Sequence, residues 1–312
     1  MSFLHLLESI RCLFLDKLFL LITSLGEETA FLAIAIIVFW CVSKRDGYYL
    51  LSVGFVGIII NQFLKLIFRI PRPWVLDKGF SPVSGSVEEA SGYSFPSGHT
   101  QTSVGAYGSI AHFTKQRWLK IICIALCVLI PFSRMYLGVH TPLDVITSVI
   151  IALILIFAIK PIIYKGMEST KVMYIFLSLM LALSVSYLLF VELFPFPNDI
   201  DASNYASGRE NAYTLIGCMV GMLVSFPVES KLIKFETSGR WYTQLLKVII
   251  GLALVLGLKE LLKLPLEAIL PADTIARAVR YFIIVVFSVI IYPLTFKHFK
   301  RLESYVESRK SK

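Results

Sequence analysis

Residues Ser133 to Asp144 read SRMYLGVHTPLD, a short polar stretch between two long apolar runs. Its reading decides the fold, because it requires two helix ends back to back. Arg134 falls near the end of an apolar segment at about 118–137, and Gly138 allows a tight reversal. A new helix then starts with Thr141 as N-cap and Pro142 at the first helical position. Asp144 is its third residue, completing a T-x-x-D capping pattern, and from there it can reach back toward His140 to fix the tautomer of the ring. Two apolar helices that reverse around an arginine, a histidine and an aspartate describe a helix bundle with chemistry at one end.

Two further polar stretches share this character. Lys65 to Pro73 reads KLIFRIPRP. Lys65 and Arg72 are seven residues apart, two turns of a continuing helix, and Pro71 and Pro73 stop the helix and stiffen its exit. Pro96 to His99 reads PSGH and opens another apolar segment. Ser97 suits an N-cap there, Gly98 lets the backbone approach a ligand, and the free N–H groups of the helix start favour an anion. His99 then sits in the first turn. Each stretch alone has a plain structural explanation, as snorkelling cations, a capped turn or a bonded histidine. Ionisable groups at helix ends in an oily chain are nevertheless costly to desolvate, which makes them functional candidates. Together they hold what a phosphoryl-transfer site requires: several cationic or N–H donors for the equatorial oxygens, a nucleophile and an acid.

The surrounding composition fixes the class. The chain has 312 residues, 56% of them hydrophobic, with a mean hydropathy of +0.75, the signature of a multi-pass membrane protein. Nine apolar segments are expected, at about 29–43, 47–68, 99–114, 118–137, 142–164, 172–194, 212–228, 242–262 and 274–296. The fold class is therefore all-α, a polytopic membrane helix bundle. Residues 1–28 carry Glu8, Arg11, Asp16 and Lys17 at helical spacing without a small-residue cleavage site, which predicts an amphipathic helix at the membrane surface instead of a cleaved signal. Gly217 and Gly221 form a GxxxG of the kind that packs helices. The five cysteines mostly lie in apolar runs without metal-ligand spacing and read as small buried residues.

The net charge of +9 is distributed as a topology signal, so no nucleic-acid partner is inferred. Threading the chain alternately puts Lys44–Arg45, Lys115–Arg117–Lys120, Lys160–Lys165–Lys171, Lys231–Lys234–Arg240 and the tail from Lys297 to Lys312 on one side. The other side receives Glu27, Glu28, Asp77, Glu88, Glu89, Asp199, Asp201, Glu210 and all three motifs. The positive-inside rule then predicts a cytoplasmic C-terminus and a site on the extracytoplasmic face, as in a bacterial plasma membrane. Residues 196–211 read as a polar outer loop.

The three motifs, as K-x6-R-P, P-S-G-H and S-R-x5-H-x3-D, resemble those of the type-2 phosphatidic acid phosphatase superfamily, over roughly residues 15–165. That superfamily includes lipid phosphate phosphatases, glucose-6-phosphatase and vanadium haloperoxidases. The resemblance implies that His140 attacks phosphorus and forms a phosphohistidine, oriented by Asp144. It implies that His99 protonates the leaving group and later activates water, that Lys65, Arg72, Ser97, Gly98 and Arg134 hold the phosphoryl oxygens, and that no metal or cofactor takes part. It also implies a division into a phosphatase core at 1–165 and a C-terminal membrane region at 166–312, holding the sixth core span and about three more, a layout similar to sphingosine-phosphate phosphatases. The expected partner is a phosphorylated lipid from the bilayer: undecaprenyl diphosphate, phosphatidylglycerol phosphate, phosphatidate or a sphingoid phosphate. A homodimer fits the extra spans. A phosphotransferase using the same phosphohistidine, and a transporter of lipid phosphates, are the alternatives.

Overall fold

The computed structural model describes residues 1–88, 90–197 and 200–310; Glu89, Asp199 and Lys312, used above in the charge pattern, lie outside them. Every regular element among the described residues is helical. Two short helices, α1 (Ser2–Ser9) and α2 (Leu13–Ser24), lead into α3 (Glu28–Cys41), α4 (Lys44–Phe68) and the single turn α5 (Pro73–Leu76). Then follow α6 (Gly98–Phe113), α7 (Arg117–Tyr136), α8 (Pro142–Glu168), α9 (Thr170–Leu193) and α10 (Ala202–Val228). The C-terminal part holds α11 (Trp241–Leu261), α12 (Lys263–Ile269), α13 (Asp273–Val286) and α14 (Phe296–Lys310).

Among the described residues, six helical stretches are long and apolar enough to cross a membrane: 44–76, 117–136, 142–168, 170–193, 202–233 and 273–309. A seventh is obtained if α2 and α3, bent by 47° at their junction, are counted as one span. The expected nine are not reproduced, and the differences have physical causes. The segment at 29–43 becomes one arm of the bent pair. The segment at 99–114 becomes α6, only 16 residues long, whose buried side chains include Thr100, Gln101, Thr102, Ser103 and Ser109; at 1.5 Å per residue it is too short for a bilayer core of about 30 Å. The segment at 242–262 becomes α11, which carries Lys247 in its second turn and is not among the six. The polar stretch at 196–211 is also partly helical, since α10 begins at Ala202.

The chain forms two compact units, each assembled from separated segments. The first comprises 1–34, 49–161 and 194–208. Here α6 lies along α7, and α1 and α2 also pack on α7. Phe19 meets Tyr136 with ring centroids 4.4 Å apart, beside a cluster of Val83, Tyr136, Leu137 and Val139. The polar residues that suggested a surface helix at 1–28 serve as internal ties. Arg11 donates to the Tyr136 carbonyl through Nε and Nη2 (3.1 and 2.9 Å), Asp16 accepts from the Tyr136 hydroxyl (2.8 Å), and Glu8 accepts from the Ser81 amide (3.1 Å).

The second unit comprises 35–48, 162–193 and 209–312. The GxxxG packs as expected. A Cβ on Gly217 would lie 2.1 Å from the Ala278 carbonyl oxygen, and one on Gly221 would lie 2.8 Å from Val285 Cβ, so α10 and α13 touch backbone to backbone. Trp40 and Tyr292 close over Gly251 of α11, with Phe296 edge-on to Trp40.

Candidate active site

Five elements of the first unit converge: the exit of α4, the 91–97 segment, the start of α6, the end of α7 and the start of α8. The exit of α4 is not helical as far as Arg72. The helix stops at Phe68, Arg69 turns left-handed (φ +50°), Arg72 is extended, and Pro73 opens the single turn α5. Arg72 therefore reaches the site from a turn, not from the helix face shared with Lys65.

Once there, its guanidinium uses four of its five N–H donors. Nε donates to the Gly92 carbonyl (3.0 Å), Nη2 to the Ser91 carbonyl (2.7 Å), and Nη1 to both the Val139 carbonyl and His140 Nε2 (3.0 Å each). Lys65 Nζ grips the same segment through the carbonyls of Tyr93 (2.7 Å) and Ser91 (3.3 Å). Both cations are buried. Gly92 makes this approach possible: its φ is +71°, and a Cβ there would stand 3.3 Å from Lys65 Nζ.

The start of α8 is a reciprocal capping box. The Thr141 amide donates to Asp144 Oδ2 (2.7 Å), and the Asp144 amide to Thr141 Oγ1 (3.4 Å). The same Oδ2 accepts the Ser94 hydroxyl at 2.6 Å and lies 3.5 Å from His140 Nδ1. Asp144 thus stands beside the ring, yet its shorter bonds go to Ser94 and Thr141. The ring itself is only 1% exposed. Because Arg72 donates to Nε2, that nitrogen carries the lone pair and the ring proton belongs on Nδ1, toward Asp144. His140 lies in the link between α7 and α8. Burial, then the Arg72, Arg134 and Lys65 charges, hold its pKa well below the ordinary 6.5, so the ring is neutral at pH 7.

Ser97 caps α6, accepting from the Thr100 amide (3.4 Å), while its own amide donates to the Asp144 carbonyl (3.2 Å). Ser148 bridges the Ser97 and Asp144 carbonyls at 2.9 Å each, so the starts of α6 and α8 are tied together. Gly98 occupies the first turn of α6 with Asn61 Oδ1 3.9 Å from where a Cβ would stand. His99 follows, and its Nε2 is buried without a hydrogen-bond partner among the described residues. Arg134 is fully buried; its Nη1 donates to Thr23 Oγ1 (2.8 Å), and its carbonyl accepts the amides of Val139 and His140 (3.1 and 3.3 Å). Those last bonds shape the reversal at Gly138, where φ is +80° and a Cβ would lie 2.7 Å from Arg11 Nη2 and from the Phe80 ring.

Hydrogen bonds therefore link Lys65 and Arg72 through the Ser91 carbonyl, Arg72 to His140, and Asp144 to Ser97; Asp144 and His140 meet at 3.5 Å, with Gly98 and His99 at the helix start that Ser97 caps. The Arg134 side chain is bonded to α2, and its link to His140 runs through its backbone. The sequence reading missed the 91–94 segment, whose three carbonyls orient the cations and whose Ser94 binds Asp144, and it missed Thr23. The signal for the first was present: SGYS directly precedes FPSGH as one polar stretch. Thr23 carries no such mark.

A buried neutral histidine flanked by a carboxylate and an arginine at the mouth of a membrane helix bundle defines a class of phosphoryl-handling membrane protein, and the chain belongs to the PAP2 superfamily. Residues 46–168 match the PAP2 superfamily, and residues 213–304 match the PAP2 superfamily phosphatase transmembrane extension. Among its relatives is phosphatidylglycerophosphatase B of Bacillus subtilis, 31% identical over 48% of this chain and 76% of that protein. Undecaprenyl-diphosphatase BcrC of the same organism is 31% identical over 37% of this chain and 56% of its own length. Mouse sphingosine-1-phosphate phosphatase 1 is 24% identical over 79% of this chain and 59% of its own length, so that likeness extends into the C-terminal half. No solved structure matches the chain. The family and these lipid phosphatase relatives support phosphatase activity in this chain.

Proposed function

We propose that this protein hydrolyses a phosphorylated lipid through a phosphohistidine on His140, without a metal, at the extracytoplasmic face of a bacterial plasma membrane. The observation that carries the reading is His140 itself: a neutral ring with its Nε2 lone pair held at 3.0 Å by Arg72, and its Nδ1 side 3.5 Å from Asp144. His140 Nε2 attacks phosphorus as the ester or anhydride P–O bond breaks, and the Nδ1 proton stays facing Asp144, which stabilises the imidazolium. His99, whose pKa burial and the surrounding cations hold well below 6.5 in the free protein, takes up a proton as the phosphate dianion enters and gives it to the departing oxygen. It then takes one from the water that attacks phosphorus, and the P–N bond electrons return to Nε2. Lys65, Arg72, Arg134 and the α6 start with Ser97 and Gly98 spread over the phosphoryl oxygens; Arg72 and Lys65 exchange part of their carbonyl bonding for phosphate when substrate enters.

The substrate class follows from a cationic site at helix ends beside the bilayer and from relatives whose names specify phosphatidylglycerophosphate, undecaprenyl diphosphate and sphingosine 1-phosphate. Phosphatidate completes the set. In this reading residues 1–165 carry the chemistry, residues 166–312 form the membrane extension, and the C-terminus is cytoplasmic. A test is phosphate release by the purified protein in EDTA from those four lipids in parallel, with His140→Ala as control. Release from at least one lipid is expected, falling more than about a hundredfold in the folded variant. Phosphate appearing on an added acceptor instead would mark a phosphotransferase.

A further inference from the structure

The second unit holds a cavity of about 250 Å³ that the catalytic reading leaves unused. Lys234 and Phe235 form one wall, Lys247 of α11 another, and Phe296, Lys297 and Lys300 at the start of α14 a third. One water needs roughly 10–15 Å³, so a tetrahedral oxyanion with its ester arm fits easily.

Two glutamates also face this space, and both are committed. Glu236 pairs with Lys300. Glu303 accepts from the Arg240 amide at 2.6 Å and from the Thr243 hydroxyl. Among the described residues, no carboxylate lies within ion-pair distance of Lys234, Lys247 or Lys297. For the two exposed lysines this is ordinary. For Lys247 it is not, because that residue is only 3% exposed and its Nζ lies over the face of Phe296, 4.7 Å from the ring centroid, with Glu303 and Glu236 acting on it only from beyond ion-pair distance. An aromatic face attracts an ammonium but does not neutralise it, and carboxylates engaged with other partners beyond ion-pair distance compensate a largely buried ammonium only in part.

We propose that this cavity is a second anion site, which takes a phosphate monoester with Lys247 at its floor and Lys234 and Lys297 at its rim. The ligand is either free phosphate or the headgroup of a lipid whose tail lies against Leu294 and Ile233. The site lies outside the family's motif residues and does not depend on the catalytic assignment.

The test uses the full-length chain in detergent, with Lys65→Ala and Arg72→Ala removing anion donors of the proposed active site. It is titrated calorimetrically with orthophosphate in one arm and dioctanoyl phosphatidate in the other. One anion per chain is expected, bound at least tenfold more weakly after Lys247→Met and less than threefold more weakly after Lys247→Arg. Binding of orthophosphate assigns free phosphate, and binding of phosphatidate alone assigns a lipid headgroup. Where orthophosphate binds, its titration of the otherwise unaltered chain should lose one anion with Lys247→Met. If Lys247→Met does not fold, Lys234→Gln and Lys297→Gln take its place, each weakening binding about threefold. No binding in either arm by folded protein, or binding that none of these substitutions alters, would overturn the proposal.

Discussion

The two units handle buried charge in opposite ways. In the first, Lys65, Arg72 and Arg134 are buried and held by backbone carbonyls and a threonine hydroxyl, with Asp144 as the nearby carboxylate. Carbonyls orient a cation while leaving most of its charge for a ligand. In the second, Lys44 is closed by a carboxylate, Glu229 at 2.5 Å, and covered by the Phe235 ring 4.1 Å away. A pair of that kind holds helices together and has little field left over. The comparison separates a region built to meet an anion from one built mainly to hold itself, with Lys247 and the buried Arg280 as exceptions.

The sharpest way to break this comparison is to disturb the carbonyl-held side without removing a cation. Ser94→Ala deletes the 2.6 Å bond to Asp144. A hydrogen bond to a charged group is worth about 1.5–3 kcal/mol, so kcat should fall roughly tenfold to hundredfold, with KM within about threefold and Ser94→Thr recovering part of the rate. Equal rates in wild type and Ser94→Ala would remove Ser94 from the positioning of Asp144.

The second test is the acid limb of kcat/KM. With the His140 pKa held well below 6.5, Nε2 stays unprotonated as pH falls from 7 and takes up a proton only below that range. The rate should therefore persist through pH 6 and drop further down. A half-loss near pH 6.5 assigned to His140 would contradict the neutral, buried ring.

On the closed side, Glu229→Gln should lower stability and spare catalysis. A fully buried pair broken on one side costs about 3–5 kcal/mol; Lys44 keeps partial exposure, so about 1–3 kcal/mol is expected, with kcat/KM unchanged within twofold. Thermal unfolding and turnover of the same preparation read both, and a large loss of turnover at unchanged stability would erase the distinction drawn here.

The smallest effect belongs to the surface pair of His5 with Asp77, 2.9 Å apart. The Asp77 and Glu8 bonds raise the His5 pKa above 6.5, and the His5 bond lowers that of Asp77. The contribution from His5 is complete below pH 6.5 and disappears as pH rises through the raised value; that from Asp77 disappears as pH falls through its lowered one. The difference in Tm between wild type and His5→Gln should thus be small at pH 6 and vanish in alkali. A difference that grows with pH would reverse the sign.

Much of this was legible in the sequence for a physical reason. Helix starts with an N-cap and a ligand-facing turn need particular residues in a row, so Ser97–Gly98–His99 and Thr141–Pro142–Asp144 can be read directly, and the structure has both caps. The span count failed where periodicity and hydropathy carry no length standard: α6 is apolar enough to suggest a crossing and too short to make one. Arg72 was legible as a cation, but not its route, because the left-handed turn at Arg69 is not specified by a local glycine. Thr23 and Arg11 act across more than a hundred residues of chain, and nothing near them marks their partners. The second unit carries no catalytic motif, only the GxxxG that packs its helices; Lys247 is a lone cation in an apolar run until the fold shows what surrounds it.

The central claim is that His140 carries the phosphoryl group. It is tested most directly by rapid quenching into alkali during turnover of a lipid labelled with phosphorus-32, followed by mapping of the protein-bound label. The account predicts label that is stable in base and labile in acid, on the peptide containing His140, absent from His140→Ala. Steady hydrolysis with no protein-bound label at any quench time, or label that persists in His140→Ala, would contradict it.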